Sequence, residues 1–525
     1  MLHCSRSSLI YFVIGVAAAI SCMLYLHITL TDLDFKTTTG ALSSNTMTKP
    51  VITVGSGLAG LSAAYEALKA GARVHMFDRA PKPGGNSIKA SSGINGAGTR
   101  FQRDKNITTD DSAKFYEDSA RSAGARFSSQ TGVLGESGRK ALVELLTSQS
   151  ADAVHWLADE IGVDLTTVAQ LGGHSLARTH RGTTGPPPGA AIVGALLKKL
   201  GADPRFTLTS SADVEALTVS SDGKISGVRY TIDGKAHELE GPVVFAAGGF
   251  AGDAHGLLAQ HRPDLAGMPS TNDARPAPHR LLADIGAEFV DMDSVQIHPT
   301  GFVDPKDPTA TYKFLAAEAL RGEGGILLSA AGSRFVNEME RRDVASDAIM
   351  ALPRSKEAEE GGVRQWDVTL LLDPGAAEAA GSHLGFYLFK GLMQKKKVKD
   401  LPPAVIEAVD RYAAAVASGA DTEFGRLTFG HWRLPPGEAN REEEVAVGIV
   451  TPVTHFTMGG VAFNTKAQVL GRKDDVLGAI EGVWAAGEIT GGIHGDNRLG
   501  GSSLLECAIF GRIAGAEAAK SLSDV

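Results

Sequence analysis

A glycine-rich turn near residue 55 is the feature that most constrains the fold of this chain. The apolar run Val51–Val54 leads into GSGLAG at 55–60, a G-x-G-x-x-G pattern. A helical pattern over 61–70 follows, and then a second apolar run over 74–77 that ends at Asp78. This order is typical of a dinucleotide-binding βαβ unit, in which a pyrophosphate lies at the helix N-terminus and the acid binds a ribose hydroxyl.

Such a unit can hold NAD or FAD, and three later segments favour FAD. They are the glycine pair and polar residues at Gly84–Ser87, the run VVFAAGGF at 243–250 and the run GVWAAGEITGG at 482–492. Segments of this kind, spread along the chain and contributing to one nucleotide-binding domain, are typical of two-dinucleotide-binding flavoproteins. Buried strands with tight turns would give a similar pattern. We therefore predict an α/β fold with a Rossmann-like FAD domain.

The length of 525 residues predicts more than one domain. We predict an N-terminal segment at 1–47, a first part of the FAD domain at 48–295, an inserted α+β capping domain at 296–430 and a second part of the FAD domain at 431–525. The net charge of −9 favours no nucleic acid partner. Cys507 alone lies in the body, which indicates neither a disulfide framework nor a cysteine metal site, and we predict no metal.

The N-terminal segment contains an apolar run from Leu9 to Leu30, long enough as a helix to span a bilayer. Arg6 precedes the run and Asp32 follows it. The positive-inside rule therefore predicts a membrane anchor with a cytosolic N-terminus, and with the body of the chain, from about residue 48 onward, on the other side of the membrane. The endoplasmic reticulum is then favoured, with the mitochondrion as the alternative. A cleaved signal peptide remains open. Translation from Met47 would give a cytosolic body.

One segment at 318–343 carries Glu318, Arg321 and Arg342. Arginine almost never loses its proton in water, so an arginine that donates a proton needs a partner that returns it. Glu318 and Arg321 could form such a relay. This chemistry suits the addition of hydride and proton across an activated carbon–carbon double bond. A surface ion pair between Arg321 and Glu323 is the structural alternative, and Arg334 and Arg341 are interpreted as solvated structural arginines.

Several long motifs resemble the soluble fumarate reductases, most of all their fungal branch. They are GGNSIKASSGIN at 84–95, QLGGHSLARTHR at 170–181, IHPTGF at 297–302, KFLAAEALRGEGGILL at 313–328, HFTMGG at 455–460 and GGIHGDNRLGGSSLLEC at 491–507. The likeness covers nearly everything from Val51 onward.

The resemblance implies that Arg342 donates the proton and that Glu318 and Arg321 form its relay. His298, His455 and Arg498 match the groups that hold the two carboxylates of a dicarboxylate. Bidentate arginine and imidazole donors suit a dianionic substrate. A satisfied loop histidine at His298 and a core histidine at His455 remain open.

One FAD is implied, bound without a covalent link because Asn86 stands where respiratory relatives carry a flavin-linking histidine. The expected FAD contacts are Gly55, Gly57, Leu58, Ala59, Gly60, Asp78, Arg79, Asn86, Ser87, Ser91, Ser92, Gly93, Asn95, Ala247, Gly248, Glu488, Ser503 and Leu504.

The chain departs from the family pattern at 273–280, where DARPAPHR replaces a Thr-Gly-Asp-Gly stretch. We expect a loop that is remodelled, or wrong in the gene model, with a loss of glycine-dependent approach to the cofactor. Ala317 also stands where bacterial relatives have threonine.

The implied activity is irreversible reduction of fumarate to succinate. The body lacks haem-attachment and iron–sulfur cysteines, so electrons must come from a diffusible donor, and the resemblance favours reduced FMN or FAD over NADH. Two alternatives remain: reduction of another activated alkene such as urocanate, methacrylate or a 3-ketosteroid, and an anchored flavin-binding protein whose altered 273–280 loop has ended turnover.

Overall fold

The computed structural model describes residues 49–130, 132–473 and 475–523. Its strands are β1 Val51–Val54, β2 Val74–Asp78, β3 Ile94–Asn95, β4 Thr167–Ala169, β5 Thr179–Arg181, β6 Phe206–Ser210, β7 Asp213–Val219, β8 Ile225–Ile232, β9 Lys235–Glu240, β10 Val243–Phe245, β11 Phe289–Val290, β12 Val295–Phe302, β13 Phe314–Leu315, β14 Ile326–Leu328, β15 Val368–Leu372, β16 Gln394–Lys397, β17 Glu444–Thr457, β18 Gly460–Val461, β19 Gln468–Lys473 and β20 Val476–Ala485.

Short 3₁₀ and π turns complete the connections between strands and helices. The α-helices are α1 Leu58–Lys69, α2 Arg100–Arg103, α3 Ser112–Ala123, α4 Gly135–Ser148, α5 Ser150–Trp156, α6 Pro188–Gly201, α7 Leu257–His261, α8 Arg280–Ala283, α9 Glu318–Gly322, α10 Arg342–Met350, α11 Lys356–Glu360, α12 Pro374–Lys390, α13 Pro403–Ser418 and α14 Ser502–Ser521.

The central sheet has the strand order β19-β20-β10-β1-β2-β6, in which the last five strands are parallel and β19 is antiparallel. β1 and β10 are buried at every residue, which is why their sequences are continuous apolar runs. The carboxyl ends of parallel strands meet at one edge of a sheet. The turns after β1, β2, β10 and β20 therefore face one crevice, as the βαβ pattern predicts.

Helices α1 and α14 cover one face of this sheet and contact each other closely. A Cβ atom at Gly515 would lie 2.0 Å from the carbonyl oxygen of Ala63, so only glycine permits this approach. The sequence pattern predicts that the first helix begins at residue 61, whereas the helix begins at Leu58. The glycine turn itself therefore supplies the first helical residues.

A second, antiparallel sheet forms the part of the molecule that lies over the crevice. Its order is β13-β12-β17-β15-β14, with β16 paired to β17. A separate core of buried residues includes Trp366 and Tyr387 and lies against this sheet. β17 follows residue 430 in the sequence and yet pairs with β12 along most of its length. The domain boundary at 430 stays a prediction.

The predicted membrane segment Leu9–Leu30 and the candidate start at Met47 lie outside the described residues. Within the described ranges, no helix is both long and apolar enough to cross a membrane.

Candidate active site

A cavity of about 430 Å³ joins the glycine turn to Arg342, the predicted proton donor, whereas Glu318, Arg321 and His298 are buried outside its lining. Its walls include the loops after β1, β2, β10 and β20, and they also include Arg342, His455 and Arg498. Sixteen of the eighteen expected FAD contacts line it; Gly60 and Asn95 do not. One space therefore holds both the nucleotide fingerprint and the candidate proton donor.

The glycines of the turn have distinct roles. Gly55 has a φ of 105°, and a Cβ there would lie 2.4 Å from the carbonyl oxygen of Ala246. A Cβ at Gly60 would lie 2.0 Å from the carbonyl oxygen of Gly55, so this residue sets how closely α1 packs on the strand. Leu58 N–H donates to Ser87 Oγ at 3.0 Å, which fastens the second predicted loop to the helix N-terminus. This cradle fits a dinucleotide pyrophosphate.

Asp78 ends β2 and faces the same turn. Its carboxylate accepts the Ser56 N–H at 2.9 Å and the Ala80 N–H at 2.8 Å, and it also accepts the Ser56 hydroxyl. A carboxylate has about four acceptor positions, so capacity remains for a ribose hydroxyl. Asn95 is fully buried behind the cavity, where its amide donates to Gly500 O and Ser502 Oγ.

Arg342 and Glu318 form a buried pair at the start of α10 and α9. Arg342 Nε donates to Glu318 Oε2 at 2.8 Å, and Nη2 lies 2.7 Å from the same oxygen. Gly172 N–H donates to Glu318 Oε1 at 2.8 Å. Burial raises the pKa of Glu318, but the charges of Arg342 and Arg321 outweigh it and bring the pKa to about 2. Glu318 is therefore ionised at rest.

Arg321 is fully buried and lies one helical turn after Glu318. Its Nη1 donates to the carbonyl oxygen of Glu338 at 2.5 Å, whereas its Nε and Nη2 have no hydrogen-bond partner among the described residues. Burial and the neighbouring charges of Arg342 and Arg426 lower its pKa, against the opposing effect of Glu318. The alternative of a surface pair with Glu323 is wrong, since Arg321 is 1% exposed.

Glu323 instead pairs with Arg181 and with His431. The interpretation of Arg334 as a solvated arginine is also wrong. Arg334 is buried, and it donates to both carboxylate oxygens of Glu338, at 2.8 and 2.9 Å. Arg341 is partly exposed and pairs with Asp343 at 2.9 Å.

His298 and His455 lie side by side on β12 and β17, with ring centroids 5.3 Å apart. His298 Nδ1 is 3.1 Å from the Thr300 carbonyl oxygen, and His455 Nδ1 is 2.9 Å from Thr271 Oγ1. His298 Nε2 is buried and has no partner within the described ranges. His298 is on a strand rather than in a loop.

Both imidazoles are held neutral. Burial, followed by the charge of Arg342, lowers the pKa of each ring well below its usual value. Neutral rings can still donate one N–H each to a ligand.

Gln296 links the two arginines of the site. Its Oε1 accepts from Arg342 Nη1 at 2.7 Å and from Arg498 Nη2 at 3.0 Å. Arg498 lies over the Phe456 ring at 4.3 Å. Burial, followed by the charge of Arg342, lowers the pKa of Arg498 to about 9. Glu318 pairs with Arg342, whereas Arg498 forms no ion pair within the described residues, so the charge of Arg498 is available to an anion.

Glu488 follows β20 and faces the cavity. Its Oε1 accepts the Thr457 N–H at 3.0 Å. Burial raises its pKa to about 7, against the lowering effect of that hydrogen bond. A carboxyl group that is protonated near neutral pH can donate to a ligand hydroxyl as well as accept from one.

The 273–280 loop lies on the cavity wall in spite of its lost glycines. Arg275, Pro276 and Ala277 all line the cavity, and Arg79 Nη1 donates to the Pro276 carbonyl oxygen at 2.9 Å. Ala277 N–H donates to Asp253 at 3.1 Å. The backbone of this loop is therefore tied to the expected FAD contact Arg79 and lies on the wall of the crevice.

Three residues of the site, Gln296, Glu338 and Arg426, are not among those predicted from the sequence. Arg426 Nη2 donates to the Arg321 carbonyl oxygen at 2.6 Å and Nη1 contacts Glu338 Oε2 at 3.2 Å, so this pair holds α9 in position. Arg426 is distant in sequence and no local pattern marks it. Gln296 comes two residues before His298, and its position on the same face of β12 was a usable signal.

The comparisons with known proteins agree with this geometry. A family model described as an FAD binding domain matches residues 50–504. The fumarate reductase of Schizosaccharomyces pombe is 40% identical over 90% of this chain and 89% of its own length. Fumarate reductase 1 of Saccharomyces cerevisiae is 41% identical over 89% of this chain and 97% of its own length.

The chain belongs to the fumarate reductase family of FAD-binding proteins. A solved structure, the open conformation of a flavocytochrome c3 fumarate reductase, matches with a TM-score of 0.67 at 31% identity. That match covers 91% of this chain and 79% of the other. For this family member FAD is the cofactor, as the sequence predicts, and the glycine cradle fits it.

Proposed function

We propose that this chain reduces fumarate to succinate. The observation that carries the proposal is one cavity lined by the FAD turn and by Arg342, His455 and Arg498. Relatives named fumarate reductase, with about 40% identity along nearly their whole length, support the same substrate. Reduction adds two electrons and two protons to the double bond.

The cationic side of the cavity suits a dicarboxylate. Arg498 and Arg342 direct guanidinium N–H groups toward Gln296 Oε1 from two sides, and a bound carboxylate would take up their remaining donors. His298 Nε2, buried without a partner in the described part of the chain, is the donor for a second carboxylate oxygen together with His455. We propose these four side chains as the substrate clamp.

Arg342 is the proposed proton donor. A guanidinium has five N–H bonds, and Glu318 and Gln296 engage three of its donor positions. The remaining N–H groups can face the substrate. FAD held against the glycine turn at Gly55 and Gly57 would supply the hydride chemistry. Arg342 protonates one olefinic carbon, and its charge beforehand stabilises the negative charge that develops on the carboxylate oxygens.

Glu318 is the proposed group that recharges Arg342. At rest, the Arg342 charge keeps the pKa of Glu318 low in spite of burial. When Arg342 gives up its proton, that charge disappears while burial remains, so the pKa of Glu318 rises and the carboxylate takes up a proton. Its contact with Arg342 Nε and Nη2 lets that proton pass on. Arg321 is proposed as the outer member of the relay.

The direct test is turnover of the purified protein with reduced methyl viologen and each candidate alkene in turn. Fumarate should be the preferred substrate, with one succinate formed for every two viologens oxidised. If urocanate, methacrylate or a 3-ketosteroid is preferred, that compound and not fumarate is the substrate. Absence of turnover with all four despite bound FAD would favour a protein that only binds flavin.

We also propose a diffusible donor, reduced FMN or FAD rather than NADH, and a body delivered across a membrane by Leu9–Leu30. The endoplasmic reticulum is the favoured compartment, with the mitochondrion as alternative and the cytosol for a chain that starts at Met47. Asn106 begins an Asn-Ile-Thr sequon and is exposed, so a lumenal body can carry a glycan there. Carbonate extraction with glycosidase treatment tests this: a soluble, unglycosylated chain that begins after about residue 30 contradicts it.

A further inference from the structure

Two arginines without a carboxylate partner lie near each other on the wall of the FAD cavity. Arg79 follows Asp78, and Arg275 belongs to the 273–280 loop, where the chain departs from the family pattern. Both side chains are partly exposed, and neither forms an ion pair within the described ranges. The guanidinium of Arg275 has no hydrogen-bond partner in these ranges either. Most N–H donors of the two groups are therefore free.

The positive charges of the two arginines act on each other. Burial, followed by the charge of Arg275, lowers the pKa of Arg79, against the raising effect of Asp213. Like charges that approach each other without an ion pair cost free energy in the folded protein. A ligand that contacts both guanidinium groups would offset this cost, so their arrangement indicates a binding site.

The 273–280 loop holds Arg275 in this position before any ligand binds. His279 is buried, and its ring packs against Phe250 and Phe289 with centroid distances of 5.2 and 6.0 Å. The backbone N–H of Arg275 donates to the Gly252 carbonyl oxygen at 3.3 Å. A contact that a preorganised loop supplies binds its ligand at a smaller entropic cost.

The order of groups in FAD places its adenine ring at this end of the cavity. The pyrophosphate fits the N-terminus of α1, and the Asp78 carboxylate has capacity for a hydroxyl of the ribose that comes next. The adenine follows that ribose, and Arg79, Val214 and Arg275 form the cavity wall near Asp78. An adenine ring is flat and uncharged, and planar guanidinium groups stack well on such rings.

We propose that Arg275 binds the adenine ring of FAD by stacking its guanidinium on one face of the ring, next to Arg79. The loop thereby supplies a side-chain contact with the cofactor where the family pattern has glycines for a close backbone approach. A contact with a phosphate oxygen is the competing assignment, because a guanidinium also binds phosphate with two N–H groups. The inference goes beyond the proposed function, since it concerns how FAD is held and not which alkene is reduced.

The test measures the preference of the protein for FAD over FMN, which has the same isoalloxazine ring but no adenylate. Holoprotein is equilibrated with mixtures of the two flavins, and the bound flavins are released with acid and separated by chromatography. Arg275→Ala should lower the preference for FAD about tenfold relative to wild type, because it removes a cation–π contact with the adenine. A general weakening of the cavity would affect both flavins equally, so an unchanged preference would overturn the proposal.

Arg275→Lys separates stacking from a contact with phosphate. Lysine keeps the positive charge but has no planar group, so it should restore only part of the preference for FAD. The difference between wild type and Arg275→Ala should also persist from about 0.05 to about 0.5 M NaCl, since salt screens a pair of exposed opposite charges more than a stacked contact. Full restoration by lysine, or a difference that vanishes at high salt, would place Arg275 at a phosphate and overturn the adenine assignment.

Arg73→Ala is the matched control. Arg73 is exposed, precedes β2 at the end opposite to Asp78 and forms no ion pair in the described part of the chain. It does not line the cavity. Its preference for FAD should stay within about twofold of wild type. An equal fall in Arg73→Ala would overturn the assignment, because loss of any surface arginine would then explain both results.

The outcomes separate this inference from the proposed function, because flavin exchange is measured without an alkene. An unchanged preference for FAD in Arg275→Ala, with normal fumarate turnover, would overturn the assignment of Arg275 alone. Absence of fumarate turnover in the wild type would overturn the proposed function, and a tenfold lower preference for FAD in Arg275→Ala would still support the adenine contact.

Discussion

Replacement of Glu318 by glutamine removes one negative charge from the centre of the site and changes little else in volume. In the wild type both oxygens of the carboxylate are engaged, Oε2 by Arg342 at 2.7 to 2.8 Å and Oε1 by Gly172 at 2.8 Å. In Glu318→Gln one oxygen becomes an amide donor. If that amide faces Arg342, two donors face each other in a buried space.

The pKa of Glu318 gives the size and the pH dependence of the effect. The folded protein lowers it from 4.5 to about 2, which corresponds to about 3 kcal/mol of stability from the ionised form. That stability is present above pH 4.5, the unfolded value, and is lost as the pH falls through about 2. The variant should therefore be less stable by about 3 kcal/mol at pH 7, in line with a broken buried ion pair.

Urea denaturation at pH 7 and at successively lower pH measures this difference in unfolding free energy. Stopped-flow kinetics measures the rate of fumarate reduction, which depends on the proposed proton relay. The variant should bind fumarate with little change in KM and lose about 10²–10⁴-fold in turnover, the usual contribution of a positioned acid or base. Glu338→Gln is the comparison: this acid is buried against Arg334 and Arg426, so its replacement should lower stability and, because it only helps to hold α9, reduce turnover much less than Glu318→Gln. Wild-type turnover in Glu318→Gln would show that Glu318 does not recharge Arg342. A difference in unfolding free energy between wild type and variant that does not narrow below pH 4.5 would show that ionised Glu318 does not stabilise the fold.

Three further tests address the substrate clamp, the link to FAD and the packing of α1 against α14. His455→Ala should raise KM for fumarate at least tenfold with a smaller loss in turnover, measured by steady-state kinetics, and an unchanged KM would place the carboxylate elsewhere. Acid precipitation should release all the flavin, because Asn86 offers no imidazole for a covalent link; colour in the pellet would contradict this. Gly515→Ala should lower stability by about 1–3 kcal/mol because its Cβ would meet Ala63, whereas Gly194→Ala, with nothing within 4 Å, should not.

The nucleotide half of the molecule follows closely from local sequence patterns. The strands Val51–Val54 and Val74–Asp78 occur where apolar runs predict them, and the glycine turn lies between them. Such patterns succeed because the chemistry is local: a buried parallel strand is apolar throughout, and a close backbone approach requires glycine. The predicted start of the first helix, residue 61, is three residues late because the helix begins within the glycine turn, at Leu58.

The polar half of the site could not be read in the same way. The interaction of Glu338 with Arg426 and the hydrogen bond from Arg498 to Gln296 join residues far apart in sequence. No local sequence pattern predicts such contacts, because they form only when the chain folds. The prediction of a solvated Arg334 is wrong because a buried carboxylate, that of Glu338, is available to pair with it. The family resemblance pointed to Arg342 and Glu318, but not to the network that holds their helices.

Turnover of Arg342→Ala with FAD still bound tests whether Arg342 is the proton donor. Fumarate reduction should fall by about 10²–10⁴-fold or more with unchanged FAD content, because this side chain both donates the proton and stabilises the developing charge. Arg342→Lys should retain slightly more activity than the alanine variant, since lysine can donate but cannot engage two oxygens in a planar fork. Retention of more than about a tenth of wild-type turnover in Arg342→Ala would contradict the account, because the loss would then be under about 1.4 kcal/mol.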